Sequence, residues 1–223
     1  MKQVSGARRS AAPRPVVARM PGASLGPRAK RTIAQIKDAT REVLLASGYA
    51  GTTVEEIARV AGVSRASFYS YFPSKREVML AVGAVSAREC LAVIGELSSV
   101  AGSRSGLERW VGQYFEFLDT HGSFALAWIQ AAHVDDELRR AGMSTHLILC
   151  RRFGDLLGTL ASSPHSDPRL LGLGAFSILE RGWEYSRLYT DVVDREDVVA
   201  QVATTIWSSL RPVSATVRSS RRN

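Results

Sequence analysis

Apolar residues recur every three or four positions along nearly the whole chain, the period of a helix that turns one face to a core. Ile33, Ile36, Val43 and Leu44 share one stripe, which predicts a helix over about 28–47 ended by Gly48 as a C-cap. Thr53 and Glu56 form a capping box that opens a short second helix, and Gly62 breaks it. Ser64 caps a third, with Val63 and Phe68 placed as a hydrophobic staple, and Pro73 stops it. Ser74 and Glu77 form another capping box, opening a long helix to about residue 99. Further helices are expected over about 105–120, 123–133, 135–162, 167–189 and 194–210, with breaks at Gly122, "HVDD", "SSPHSDP" and "DVVDRED". Asp167 followed by Pro168, and Asp194 followed by Glu196 and Asp197, are residue types that favour a helix start. No β-hairpin signal and no internal repeat interrupt this pattern. The prediction is an all-α chain of nine helices.

Charge changes the picture by where it sits. Residues 1–76 hold 14 Lys/Arg against 4 Asp/Glu, whereas 77–210 hold 11 against 17. The tail, 211–223, adds four arginines and no acid. A basic N-terminal third on an acidic body implies a polyanion partner for that third alone. Residues 1–27 contain no acid, and Pro13, Pro15, Pro21 and Pro27 interrupt any helix there. They read as a disordered basic extension rather than an organelle transit peptide. Cys90 and Cys150 lie inside long apolar patterns, as buried thiols of a reduced, cytoplasmic protein would. No apolar run approaches the ~18 residues a membrane span needs, so no membrane partner is expected.

The stretch "TVEEIARVAGVSRASFYSYFPSK" (53–75) carries the clearest chemistry. Ile57, Ala61, Val63, Phe68 and Tyr71 occupy the positions that face inward when two short helices cross steeply. Ala58 sits at their closest approach, and Gly62 at a turn that wants positive φ. These seven positions together describe a helix-turn-helix. Its second helix, about 65–71 with Ser64 at its start, presents Arg65, Ala66, Ser67, Tyr69 and Ser70 outward, toward a major groove. Arg65 suits a bidentate pair with guanine, Ser67 a single hydrogen bond, and Ala66 close approach or a thymine methyl. The hydroxyls of Tyr69 and Tyr71 suit phosphate oxygens, while Phe68 and Phe72 anchor the helix; Tyr71 also belongs to the inward set. Thr52 and Thr53 are placed for another phosphate, and Lys75 for the backbone on the far side.

The segment "TTVEEIARVAGVSRASFYSYFPSKREVM" resembles the N-terminal domain of the tetracycline-repressor (TetR) family, with the close match over about 28–82. The later segments are loosely similar to the ethionamide-resistance regulators. The resemblance implies a three-helix DNA-binding domain over 28–74 and a six-helix body over 75–210 that binds an effector and dimerises. It aligns Thr52, Arg65, Ala66, Ser67, Tyr69, Tyr71 and Lys75 with operator-contacting positions. "PRAKR" (27–31), with Arg28, Lys30 and Arg31, fits an arm or helix start beside the phosphates. The partners it implies are double-stranded operator DNA, a second copy of the chain and a small molecule. The 1–27 extension is longer than the family's usual lead-in.

In the body, Trp110, Tyr114, Phe115 and Leu118 fall on one predicted helix and Trp128 on the next, followed by Met143 and Leu147, then Phe176, Leu179, Glu180 and Trp183. Aromatics at such spacing fill cores more often than pockets, but the family keeps a tunnel between these helices. With Gln113, Gln130, His146 and Glu180 as its polar groups, the expected effector is large, hydrophobic and at most weakly polar. "LLGLGAFSIL" (170–179) and the stripe Val198, Val199, Val202, Ile206 and Leu210 are the expected dimer seam, unless both pack within the subunit. "GLGAFS" lacks the third glycine and the strand of a nucleotide loop, and the four histidines lack metal-ligand spacing. Neither a cofactor nor an enzymatic activity is expected. The competing readings are a non-specific architectural DNA-binding protein and an all-helical enzyme with a DNA-binding front.

Overall fold

A computed structural model describes residues 26–100, 102–161 and 167–210. The expected basic extension, apart from its last two residues, and the basic tail lie outside these. The described residues form helices α1 (Pro27–Gly51), α2 (Val54–Val60), α3 (Arg65–Tyr71), α4 (Lys75–Val100), α5 (Arg104–Ala132), α6 (Asp136–Leu160), α7 (Pro168–Leu188) and α8 (Arg195–Ser209), with no strand among them.

The local signals act as their chemistry requires. The side chains of Thr53, Ser64, Asp135, Asp167 and Asp194 each accept a backbone N–H in the first turn of the helix that follows. Gly62 takes a positive φ of 65° in the turn between α2 and α3. Gly48 has φ 62° and kinks α1, but the chain resumes one more helical turn to Gly51 instead of ending there. The break expected at Gly122 does not occur, and α5 runs straight through it. A side chain at 122 would collide with the ring of Trp183, so this glycine makes room for an aromatic and does not end a helix.

Two cores result. In the head, α1, α2, α3 and the start of α4 close around Ile33, Ile36, Val43, Ile57, Phe68, Phe72 and Val78. In the body, Trp110, Phe115, Phe153, Phe176, Leu179, Trp183 and Ile206 belong to a larger core built by α4 to α8. A third cluster, including Leu44, Tyr49, Met79, Ala131 and Leu138, joins head to body. The helix pair α6 and α7 packs so closely that a Cβ on Gly154 or Gly172 would strike the opposing backbone at Pro168 or Cys150.

Two sequence-based expectations change here. The stripe of α8 is used within the subunit, since Val202 and Ile206 are buried and Val198, Val199 and Leu210 pack on the same core. Helix α4 is also long and apolar enough to cross a membrane, contrary to the expectation that no segment would be. Here it packs against α1, α5 and α6, with Val78, Val82, Cys90 and Leu97 buried, as a core helix of a helical bundle does.

Candidate DNA-reading face and effector cavity

In the head, the short helix α3 is held from below by Phe68, fully buried, and by Phe72. That leaves its opposite side free. Arg65, Ala66, Tyr69 and Ser70 are exposed, and Ser67 is half-buried. Arg65 lies 5.7 Å from the ring centre of Tyr69 and 3.0 Å from Glu55 of α2, with both charged partners still solvated. The Ser64 hydroxyl accepts from the Ser67 N–H at 3.0 Å, and that of Ser70 donates to the Ala66 carbonyl. Tyr71 is half-buried against the head core. Arg28, Lys30 and Arg31 are all exposed on the first turns of α1.

Thr52 and Lys75 stand elsewhere than the sequence reading put them. The Thr52 side chain is buried, and its hydroxyl donates to the Gly48 carbonyl at 2.6 Å, which satisfies the bent end of α1. The Lys75 ammonium donates to the carbonyls of Tyr49 and Thr52, at 2.9 Å each, and lies over the Tyr49 ring. Burial holds it below the usual lysine pKa. Both side chains brace the joint between α1 and α2 instead of reaching for phosphate. Thr53 stays exposed, as the cap of α2.

The body has an open-sided cavity of about 690 Å³ between α4, α5 and α6, with Phe176 and Glu180 from α7 and Lys37 from α1. Of the residues expected to line it, Tyr114, Leu118, Trp128, Phe176 and Glu180 do so. Trp110, Phe115, Leu179 and Trp183 do not, because they point into the closed core on the other side of α5 and α7. Met143 and Leu147 are exposed on the outer side of α6. Gln113 is exposed, and Gln130 accepts from the Tyr49 N–H at 3.3 Å, outside the cavity. Sequence reasoning passed over His121, Ser86 and Lys37. The signal for the first was present: Tyr114, Phe117, Leu118, His121, Phe124, Ala125 and Trp128 form one continuous helical stripe on α5, and all line the cavity.

The cavity wall is apolar with a few polar groups. Burial pushes the Glu180 carboxyl up to about 7, and among the described residues no hydrogen bond or ion pair holds it. Burial likewise lowers the pKa of His146, which sits edge-on to Trp128 and tilted against Phe176. His121 stacks on Phe117 and is lowered by burial despite Glu89. In its neutral form its Nε2–H donates to Glu89 at 2.7 Å, and Nδ1 accepts from the Ser86 hydroxyl at 2.9 Å. This serine–histidine–glutamate chain has the atoms of a charge relay without its setting. Ser86 lies within the continuous helix α4, whose backbone N–H groups are engaged in the helix and do not form an oxyanion site.

A family model described as bacterial regulatory proteins, tetR family, matches residues 36–82. The chain carries the TetR-family DNA-binding head. A stretch of 54 residues is 46% identical to the uncharacterized HTH-type transcriptional regulator TtgW of Pseudomonas putida, covering 24% of this chain and 40% of that protein. The chain therefore spans well under half the length of this curated relative. The architecture beyond the matched segment is found in solved structures. The fatty acid degradation regulator FadR from Bacillus halodurans superimposes with a TM-score of 0.60 at 22% identity, over 84% of this chain and 98% of that one. FadR from Bacillus subtilis, solved in complex with stearoyl-CoA, gives 0.59 at 18% identity, over 79% and 96%. At these identities the likeness establishes the fold, head and helical body together.

Proposed function

We propose that this protein is a ligand-responsive transcriptional repressor that binds a palindromic operator as a homodimer and releases it when a hydrophobic small molecule enters the body. The observation that carries the reading is the double role of α4, which closes the head core with Val78 and walls the cavity from Met79 to Cys90. A ligand that favours one tilt of α4 thereby shifts the positions available to α3. It does so only by its differential affinity for the two states. The exposed Arg65, Ala66 and Tyr69 and the half-buried Ser67 read base edges or phosphate, Ser64, Ser70 and Thr53 add hydroxyls beside them with the half-buried Tyr71 at the margin, and Arg28, Lys30 and Arg31 hold the adjacent backbone. Leu170, Leu173 and Ile178 on the outer face of α7 supply the apolar surface for a second copy. The stearoyl-CoA of the Bacillus subtilis neighbour supports a large apolar effector here. Cytoplasmic location belongs to the same reading.

Footprinting on genomic fragments tests it. The expected result is one discrete palindromic site, with Arg65→Ala costing roughly 1–3 kcal/mol of operator affinity and relaxing base preference at one position per half-site. Uniform coating of DNA would instead establish the architectural reading. Unchanged affinity and base preference in the variant would refute the docking of α3.

A further inference from the structure

Two cations on the cavity wall, the half-buried Lys37 and the exposed Arg88, lack an acidic partner among the described residues. Lys37, from α1, and Arg88, from α4, both line the cavity, and neither makes a hydrogen bond or ion pair among the described residues. The carboxylates nearby are already engaged: Asp38 with Arg41 at 2.6 Å, Glu89 with His121 at 2.7 Å, and Glu137 with Arg76 at 3.0 Å. One turn along α1 from Lys37, Arg41 adds a third positive charge, and its Nε is buried without a hydrogen-bond partner. Asp38 offsets one of these three charges, and an incoming anion relieves the repulsion between the others.

From this arrangement we infer that the effector is a single-chain amphiphile with an anionic head, the head held between Lys37 and Arg88 and the apolar chain lying along Phe117, Phe124 and Trp128. The inference rests on the cavity being the effector site. Burial, then Arg41 and Arg88, hold the Lys37 ammonium below its ordinary pKa, the direction expected of a cation waiting for a counter-charge. Glu180 gives the cavity its polarity. It belongs to α7 and is felt by the buried Cys90, Tyr114 and Cys150 rather than by Lys37. Above neutral pH Glu180 adds negative charge at its end of the cavity, so the Lys37 and Arg88 end is the one that favours an anionic head. Because Lys37 is on the head's first helix and Arg88 on the long helix, an anion bound by both ties head to cavity wall. An uncharged chain in the same cavity has no such hold on α1.

Calorimetric titration of the full chain with dodecanoate, dodecyl phosphate, 1-dodecanol and dodecylamine, each below its aggregation limit, tests this. The carboxylate or the phosphate should bind at least tenfold more tightly than the alcohol, and which of the two is tighter identifies the head group. Lys37→Gln with Arg88→Gln should erase that advantage while leaving the alcohol unchanged; the melting temperature of the double variant guards against misfolding. Equal affinity for anion and alcohol, or an advantage that survives the double variant, would overturn the anion site and leave the cavity as an effector site. Preference for the amine, lost in Glu180→Gln, would overturn it in favour of a cationic ligand. If none of the four binds, the cavity is no effector site for such molecules, and the inference falls with that reading.

Discussion

Phe68 and Phe72 in the head, and Phe117 and Phe124 in the body, occupy similar inward positions on helices and meet opposite fates. The first pair is buried in a closed core, whereas the second borders a cavity of about 690 Å³. The head is small, so most of its large apolar groups are needed to hold the two short helices α2 and α3 against α1. The body has apolar residues to spare. Its closed core around Trp110, Phe153, Phe176 and Trp183 anchors α5 to α7 and α8, which allows the other side of α5 to stay unfilled. A space that would undo the head is tolerated in the body because a separate core bears the load.

The largest expected effect tests the closed half of this comparison. Phe68→Ala should destabilise the head by about 4 kcal/mol, seen as loss of DNA binding and early melting of α3, while ligand binding in the body survives. If both functions failed together, head and body would be one cooperative unit. The next effect tests the open half. Glu180 has a folded pKa near 7, raised above that of an unfolded glutamate, so the fold holds its proton more tightly than the unfolded chain does. Its stabilising contribution is complete below about pH 4 and is lost as pH rises through 7. Glu180→Gln should therefore raise stability at pH 8 by roughly 3 kcal/mol and flatten the dependence of melting temperature between pH 5 and 8. A third and smaller effect lies at the joint. Lys75→Gln should cost about 2 kcal/mol of stability, because two carbonyls lose a charged donor. The salt dependence of DNA binding should stay unchanged. A slope lowered by about one unit would return Lys75 to the phosphate backbone.

The head was legible in the sequence because its signals act over three or four residues. Ser64 and Ser67, Thr53 and Glu56, and the positive φ at Gly62 are local, and no distant contact revises them. What lay hidden there was also a matter of distance: Lys75 meets carbonyls 23 and 26 residues earlier in the chain. The cavity was half legible for the same reason. Helical spacing says that Tyr114, Phe115 and Leu118 face inward, but not that α5 has two inward sides, one dry and one open. Only the packing of α7 and α8 separates Phe115 and Trp183 from Phe117 and His121. Gly122 misled in the same way, since a helix-breaking residue type was present for the sake of the Trp183 ring.

The place of Val78 bears on how such a protein could be taken apart and recombined. It is fully buried in the head core, yet it stands on the first turn of the helix that walls the cavity. A graft cut at the start of α4 would leave Phe68 and Phe72 with a missing wall, and the transplanted reader would be unstable whatever body received it. A transplant that carries the opening turns of α4 keeps its own floor and lets the recipient's cavity begin beyond it. The unit of exchange between such regulators is then set by where the head's oil is sealed, a few residues past the point at which its DNA-facing surface ends.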